Sequence, residues 1–108
     1  MLLMKRAYFE AIRAGRKTTT LRYWRWAHLR PDSVHSVPGL GAVRIDDVCR
    51  VNLASLRSAD AKADGFASLA ELKVALKQHY PPKERSGRRL YRVRFTFLPD
   101  SNPRRSRL

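Results

Sequence analysis

Gly15-Arg16-Lys17-Thr18-Thr19-Thr20-Leu21-Arg22, running on into Tyr23-Trp24-Arg25-Trp26, decides how this chain is to be read. These twelve residues hold one glycine, four cations, three threonine hydroxyls and three aromatic rings. Upstream, residues 7–14 are good helix formers, with Phe9 and Ile12 spaced to share a face. Gly15 then stands where a helix ends in a left-handed residue, because glycine alone has no Cβ to clash there. From Thr18 to Trp26 the β-branched and aromatic content predicts a strand, with Leu21 and Tyr23 on one face and Thr20, Arg22, Trp24 and Trp26 on the other.

Outward from this stretch, residues 2–4 form a short apolar start that reads as a first strand, and residues 30–33 and 37–41 read as turn and loop. Residues 42–53 alternate with period two: Val43, Ile45, Cys49, Val51 and Leu53 fall in one phase. Asp47 interrupts the apolar phase and Val48 the polar one, which predicts a bend or bulge between them. A short helix is expected over 58–63, with Ser58 as its cap and Asp64-Gly65 at its end. Ser68-Leu69-Ala70-Glu71 has the form of a capping box, and Leu69, Leu72, Leu76 and Tyr80 continue at helical spacing until Pro81-Pro82. Residues 90–98 set Tyr91, Val93, Phe95 and Phe97 against Arg92, Arg94 and Thr96, as in a half-buried strand. Several antiparallel strands with few helices predict an α+β chain built as a small barrel with a helical insertion.

A chain of 108 residues suffices for one domain. We assign residues 1–98 to it and residues 99–108, with Arg104, Arg105 and Arg107, to a basic flexible tail. Twenty-three Lys and Arg against nine Asp and Glu give a formal charge of +14, so RNA or another nucleic acid is the expected class of partner. A single cysteine, Cys49, cannot close an intramolecular disulfide, which suits a reducing, cytoplasmic setting. No apolar run is long enough for a signal segment or a membrane span, so no membrane partner is expected. His28, His35 and His79 are scattered without metal-ligand spacing, and no glycine-rich phosphate loop is present. Neither a metal nor another cofactor is expected.

Gly15, Lys17 and Arg22 resemble the G-x-K-x-x-E-x-R signature of ASCH domains, a small β-barrel group similar in fold to the RNA-binding PUA domains. The resemblance continues in order through Pro38-Gly39-Leu40-Gly41, Ala63-Asp64-Gly65-Phe66, residues 68–80 and residues 90–97. It implies a PUA-like barrel of about five or six mostly antiparallel strands with two or three short helices. Thr20 stands where the signature has Glu. Similar small amidohydrolases that deacetylate N4-acetylcytidine have Thr at this place, Lys three residues earlier and an acidic residue before the second helix. By that resemblance Lys17, Thr20 and Asp64 would be catalytic.

Two function classes follow. In the first, the domain binds RNA, with Gly15, Arg16, Lys17, Arg22, Tyr23, Trp24, Arg25 and Trp26 forming a basic, aromatic surface on which unpaired bases stack. In the second, it is a hydrolase of a modified nucleoside or of RNA, in which Lys17 takes the proton of Thr20 and Asp64 positions Lys17. Strict alternation would put Lys17 and Thr20 on opposite faces, so that chemistry requires Lys17 to lie in the turn before the strand. Each residue also has a structural alternative: Thr20 as a strand residue, Asp64 as a helix terminus, Arg22 as a barrel ion pair with Asp46 or Asp47, and the aromatics as core.

Overall fold

The computed structural model describes residues 1–99; the expected basic tail beyond Pro99, with its arginines, lies outside the described residues. A 3-10 turn at Arg6–Tyr8 leads into α1 (Phe9–Arg13), followed by β1 (Thr19–Trp24), β2 (Val34–Val37) and β3 (Gly41–Arg50). Another 3-10 turn, Leu53–Ser55, precedes α2 (Ser58–Ala63), α3 (Leu69–His79), α4 (Pro82–Arg85) and β4 (Arg89–Leu98). The strands form one antiparallel sheet in the order β1-β4-β3-β2.

The class is α+β as expected, but the described residues hold four strands rather than five or six, and four α-helices rather than two or three. Residues 2–4, expected as a first strand, form none; Leu2 N–H donates to the Ser36 carbonyl at 2.8 Å, and a helical turn begins at Arg6. Of residues 42–53, those up to Arg50 belong to one bulged strand, β3, which stops short of Leu53, where a 3-10 turn begins.

Two apolar clusters lie against opposite faces of the sheet, as the parity of their β4 residues requires. The first joins Phe9 and Ile12 of α1 to Val43, Ile45, Val93 and Phe95; the second joins Leu21 and Leu90 to Ala61, Leu72 and Leu76 of α2 and α3. The bulge expected near Asp47 is present: Ile45 pairs with Phe95 and Asp47 with Arg94, so Asp46 is the extra residue. One inserted residue exchanges the faces of everything after it. Val48 therefore rejoins the first cluster, whereas Val51 packs on the second. Cys49, expected in phase with Val43 and Ile45, instead sits opposite Arg92, which donates to its sulfur at 3.4 Å.

Local signals place the helix ends. Gly15 has φ +77°, and beside it the Arg16 and Lys17 N–H groups both return to the Ala11 carbonyl, closing the helix as a left-handed terminus does. Ser68 accepts from the Glu71 N–H at 3.2 Å and caps α3 as expected. In α2 the cap is Arg57 rather than Ser58, its N–H held by Asp60 at 2.7 Å. No helix among the described residues is long and apolar enough to cross a membrane.

Candidate nucleic-acid interface and the Lys17–Asp64 pair

The glycine turn determines where Lys17 goes. Because β1 begins at Thr19, Lys17 lies ahead of strand alternation, as the hydrolase chemistry requires, and its side chain enters the interior beside the end of α2. There Asp64 terminates α2 and Gly65, at φ +91°, turns the chain tightly against the Lys17 stem. Lys17 Nζ donates to the Thr19 carbonyl at 2.9 Å and to the Asp64 carbonyl at 2.8 Å, and lies 3.4 Å from Asp64 Oδ2. Thr19, not Thr20, donates its hydroxyl to Asp64 Oδ1 at 3.1 Å. Both the ion-pair role and the helix-terminus role of Asp64 are thus realised together.

Burial dominates the electrostatics of this pair. It pushes the Lys17 ammonium below its ordinary range and the Asp64 carboxyl above its own, while the charge of each partner opposes the shift of the other. The Tyr8 ring covers the pair, its centroid 4.9 Å from Lys17 Nζ, and Tyr8 O–H meets His79 Nε2 at 3.2 Å. Burial, with the Asp64 charge behind it, raises the Tyr8 phenol.

On the far side of Tyr8 a cleft of about 250 Å³ opens between three segments: Leu3-Met4-Lys5, Thr20-Leu21-Arg22 and His79-Tyr80. Arg22 crosses it, with Nε donating to Thr20 Oγ1 at 3.3 Å and Nη2 to the Leu3 carbonyl at 2.6 Å. The alternative for Arg22, an ion pair with Asp46 or Asp47, is not formed; Asp46 takes Arg44 at 2.9 Å and the Thr96 hydroxyl instead. Burial lowers Arg22 somewhat, though a guanidinium stays charged. His79 is held below its ordinary range by burial first and then by Lys5, Arg22 and Lys17. The cleft can therefore receive a polar or anionic group from Arg22, Lys5, the Thr20 hydroxyl and a neutral imidazole, between the Tyr8 and Tyr80 rings.

The other residues proposed from sequence lie elsewhere. Arg16 pairs with Glu10 on the surface. Tyr23 packs edge-on against Tyr80 on the second cluster, and Trp24 packs on the first beside His28 and Tyr91. Trp26 is 64% exposed and stacks on His28, while Gly15 and Arg25 are exposed outside the cleft. Sequence reasoning missed Leu3, Lys5, Tyr8 and His79 as cleft residues. The only local signal was the end of the α3 periodicity at Tyr80, which places His79 beside it. Among the described residues no cluster of His, Cys, Asp and Glu could hold a metal ion.

No family model matches the chain, and no curated protein matches its sequence. Solved structures match its shape. It is similar to the crystal structure of a hypothetical protein, PH0355, at a TM-score of 0.73 and 15% identity, covering 89% of this chain and 95% of that one. An ASCH domain from Lactobacillus crispatus JV V101 is similar at a TM-score of 0.70 and 15% identity, over 83% of this chain and 69% of that one. Protein EF3133 from Enterococcus faecalis V583, described with family model DUF984, is similar at 0.63 and 15% identity over the same shares. With a TM-score of 0.70 over 83% of its length, the chain shares the fold of an ASCH domain.

Proposed function

We propose that this domain binds RNA and takes one unpaired nucleotide into the cleft lined by Lys5, Tyr8, Thr20, Arg22, His79 and Tyr80. The observation that carries the reading is the placement of Arg22 in a concave site between two tyrosines, on a chain of charge +14. Tyrosine faces accept any base, a guanidinium suits phosphate or a carbonyl edge, and the surrounding field concentrates polyanions. The likeness to an ASCH domain supports it. Fluorescence anisotropy with a single-stranded oligoribonucleotide tests it. Affinity falls steeply as salt rises, and Arg22→Ala weakens binding by about tenfold or more, as removal of a charge-assisted hydrogen bond does. Binding that ignores salt or survives Arg22→Ala unchanged overturns the reading, and equal affinity for the matching oligodeoxynucleotide makes the partner nucleic acid in general.

A second reading is hydrolysis of an acylated nucleoside such as N4-acetylcytidine, favoured by one observation: Tyr8 borders both the cleft, where Thr20 opens, and the buried Lys17–Asp64 pair. Once Lys17 has given a proton to Asp64, Thr20 Oγ attacks the acyl carbonyl, its proton passes by way of Lys17 to the departing cytosine amine, and water then releases acetate from the Thr20 ester. Lys17 Nζ must first leave the Thr19 carbonyl for Thr20 Oγ1. Acetate release from N4-acetylcytidine, abolished in Thr20→Ala, supports this chemistry; no turnover, or equal turnover in the variant, removes it.

A further inference from the structure

Away from the cleft, two adjoining grooves of about 580 and 440 Å³ meet at Tyr23, Asn52 and Leu53. Arg50 and Arg89 edge the first; Lys73, Lys77 and Arg85 edge the second. No acidic residue lines either groove. Lys73 and Lys77 stand four residues apart on α3, so their side chains share one face of the helix. The Nε of Arg85 is buried and has no hydrogen-bond partner among the described residues. Five like charges around two joined depressions repel one another, and an anion with several oxygens relieves that repulsion.

Resting on the RNA reading above, we propose that these joined grooves are a second contact site, which holds the phosphodiester backbone of the strand whose unpaired nucleotide occupies the cleft. Continuity with the cleft supports this path. Tyr80 lines the cleft and Tyr23 lines both grooves, and their rings meet edge-to-face with centroids 5.2 Å apart. A strand leaving the cleft passes over this pair and meets the five cations.

The test uses the full chain and three ligands: a mononucleotide, a 4-nucleotide and a 12-nucleotide single-stranded RNA, each titrated across salt. Arg50, Lys77 and Arg89 are exposed, so the triple variant Arg50→Ala/Lys77→Ala/Arg89→Ala keeps the fold. A control, Arg6→Ala/Arg30→Ala/Lys62→Ala, removes the same charge from exposed positions elsewhere. In the groove variant, affinity for the 12-mer drops at least tenfold and the log–log salt slope falls by about 2, roughly 0.7 for each phosphate of a single strand that is no longer neutralised. Mononucleotide binding is unchanged, the control moves the slope far less, and Arg85→Gln shifts 12-mer affinity in the same direction. Equal slopes in groove variant and control, or wild-type affinity in the groove variant, overturn the proposal while leaving the cleft reading intact. Conversely, loss of 12-mer binding in the groove variant with full binding in Arg22→Ala overturns the cleft reading and leaves the groove. A wild-type chain that binds none of the three RNAs removes both.

Discussion

Lys17 Nζ lies 3.4 Å from Asp64 Oδ2, with the two side chains only 2% and 6% exposed, and Thr19 Oγ1 holds the other carboxylate oxygen at 3.1 Å. The pair bolts the start of β1 to the end of α2, where the Thr18 N–H also donates to the Ala63 carbonyl at 2.7 Å. Removing one partner strands the other charge in the interior. Lys17→Met is expected to lower unfolding free energy by about 3–5 kcal/mol at pH 7, and Lys17→Met/Asp64→Leu to recover most of it. Denaturant titration measures both. The sign of the pH dependence follows from Asp64, whose folded pKa stands above its unfolded one and rises further without Lys17. The fold then prefers the protonated acid, so the deficit of Lys17→Met shrinks as pH falls through that raised pKa. A double variant as weak as the single one would show that the packing, not the stranded charge, matters.

Gly65 and Gly15 both have positive φ, but their surroundings differ. A Cβ on Gly65 would lie 3.3 Å from Lys17 Cβ, whereas one on Gly15 meets nothing within 4 Å. Gly15→Ala therefore carries only the left-handed penalty, about 1–2 kcal/mol. Gly65→Ala adds pressure on the buried Lys17 stem and is expected to lose more. Thermal or chemical melts of the two variants decide it, and equal losses would mean that the Lys17 stem yields freely.

His79 gives the cleft a pH response. Its folded pKa is depressed below the ordinary value by burial and by Lys5, Arg22 and Lys17, so the fold favours the neutral ring. Between that folded value and about 6.5 the unfolded chain binds more protons. Stability of the free protein thus falls as pH drops through this window, and His79→Gln flattens the fall. A phosphate in the cleft reverses the local field and favours imidazolium, so RNA affinity should rise over the same interval and lose that rise in His79→Gln. Parallel pH series of melting and of anisotropy check both signs.

The two tryptophans near the end of β1 have separate duties. Trp24 packs on the first cluster and against Tyr91, so Trp24→Ala is expected to destabilise by about 3 kcal/mol or more. Trp26, 64% exposed, contributes little to the fold; Trp26→Ala should change stability by less than about 0.5 kcal/mol. If an unpaired base stacks on it, the same variant weakens RNA binding by about 1–3 kcal/mol. Binding unchanged in Trp26→Ala would confine base contacts to the cleft.

The features readable from sequence are those set by near neighbours along the chain. Gly15 ends α1 because its own backbone must turn left-handed, Ser68 caps α3 through a residue three positions on, and the Asp47–Val48 phase break announces the bulge at Asp46. The resemblance pointed to Lys17, Thr20 and Asp64 together, yet it was Thr19 whose hydroxyl reached Asp64, while Thr20 faced Arg22. A one-residue difference along a strand reverses the face, and no local pattern says which face lies toward the end of α2.

The sequence by itself determined an α+β chain, strong positive charge, the turn before β1 and the ends of its helices, because periodicity, capping and charge act over a few residues. Only the tertiary structure decided that Thr19, rather than Thr20, joins Lys17 at the Asp64 carboxylate. It also decided that Leu3, Lys5, Tyr8 and His79 close a cleft around Thr20 and Arg22. Those meetings depend on the sheet order β1-β4-β3-β2 and on how the helices cover its faces, so they are properties of packing between segments that share no local signal.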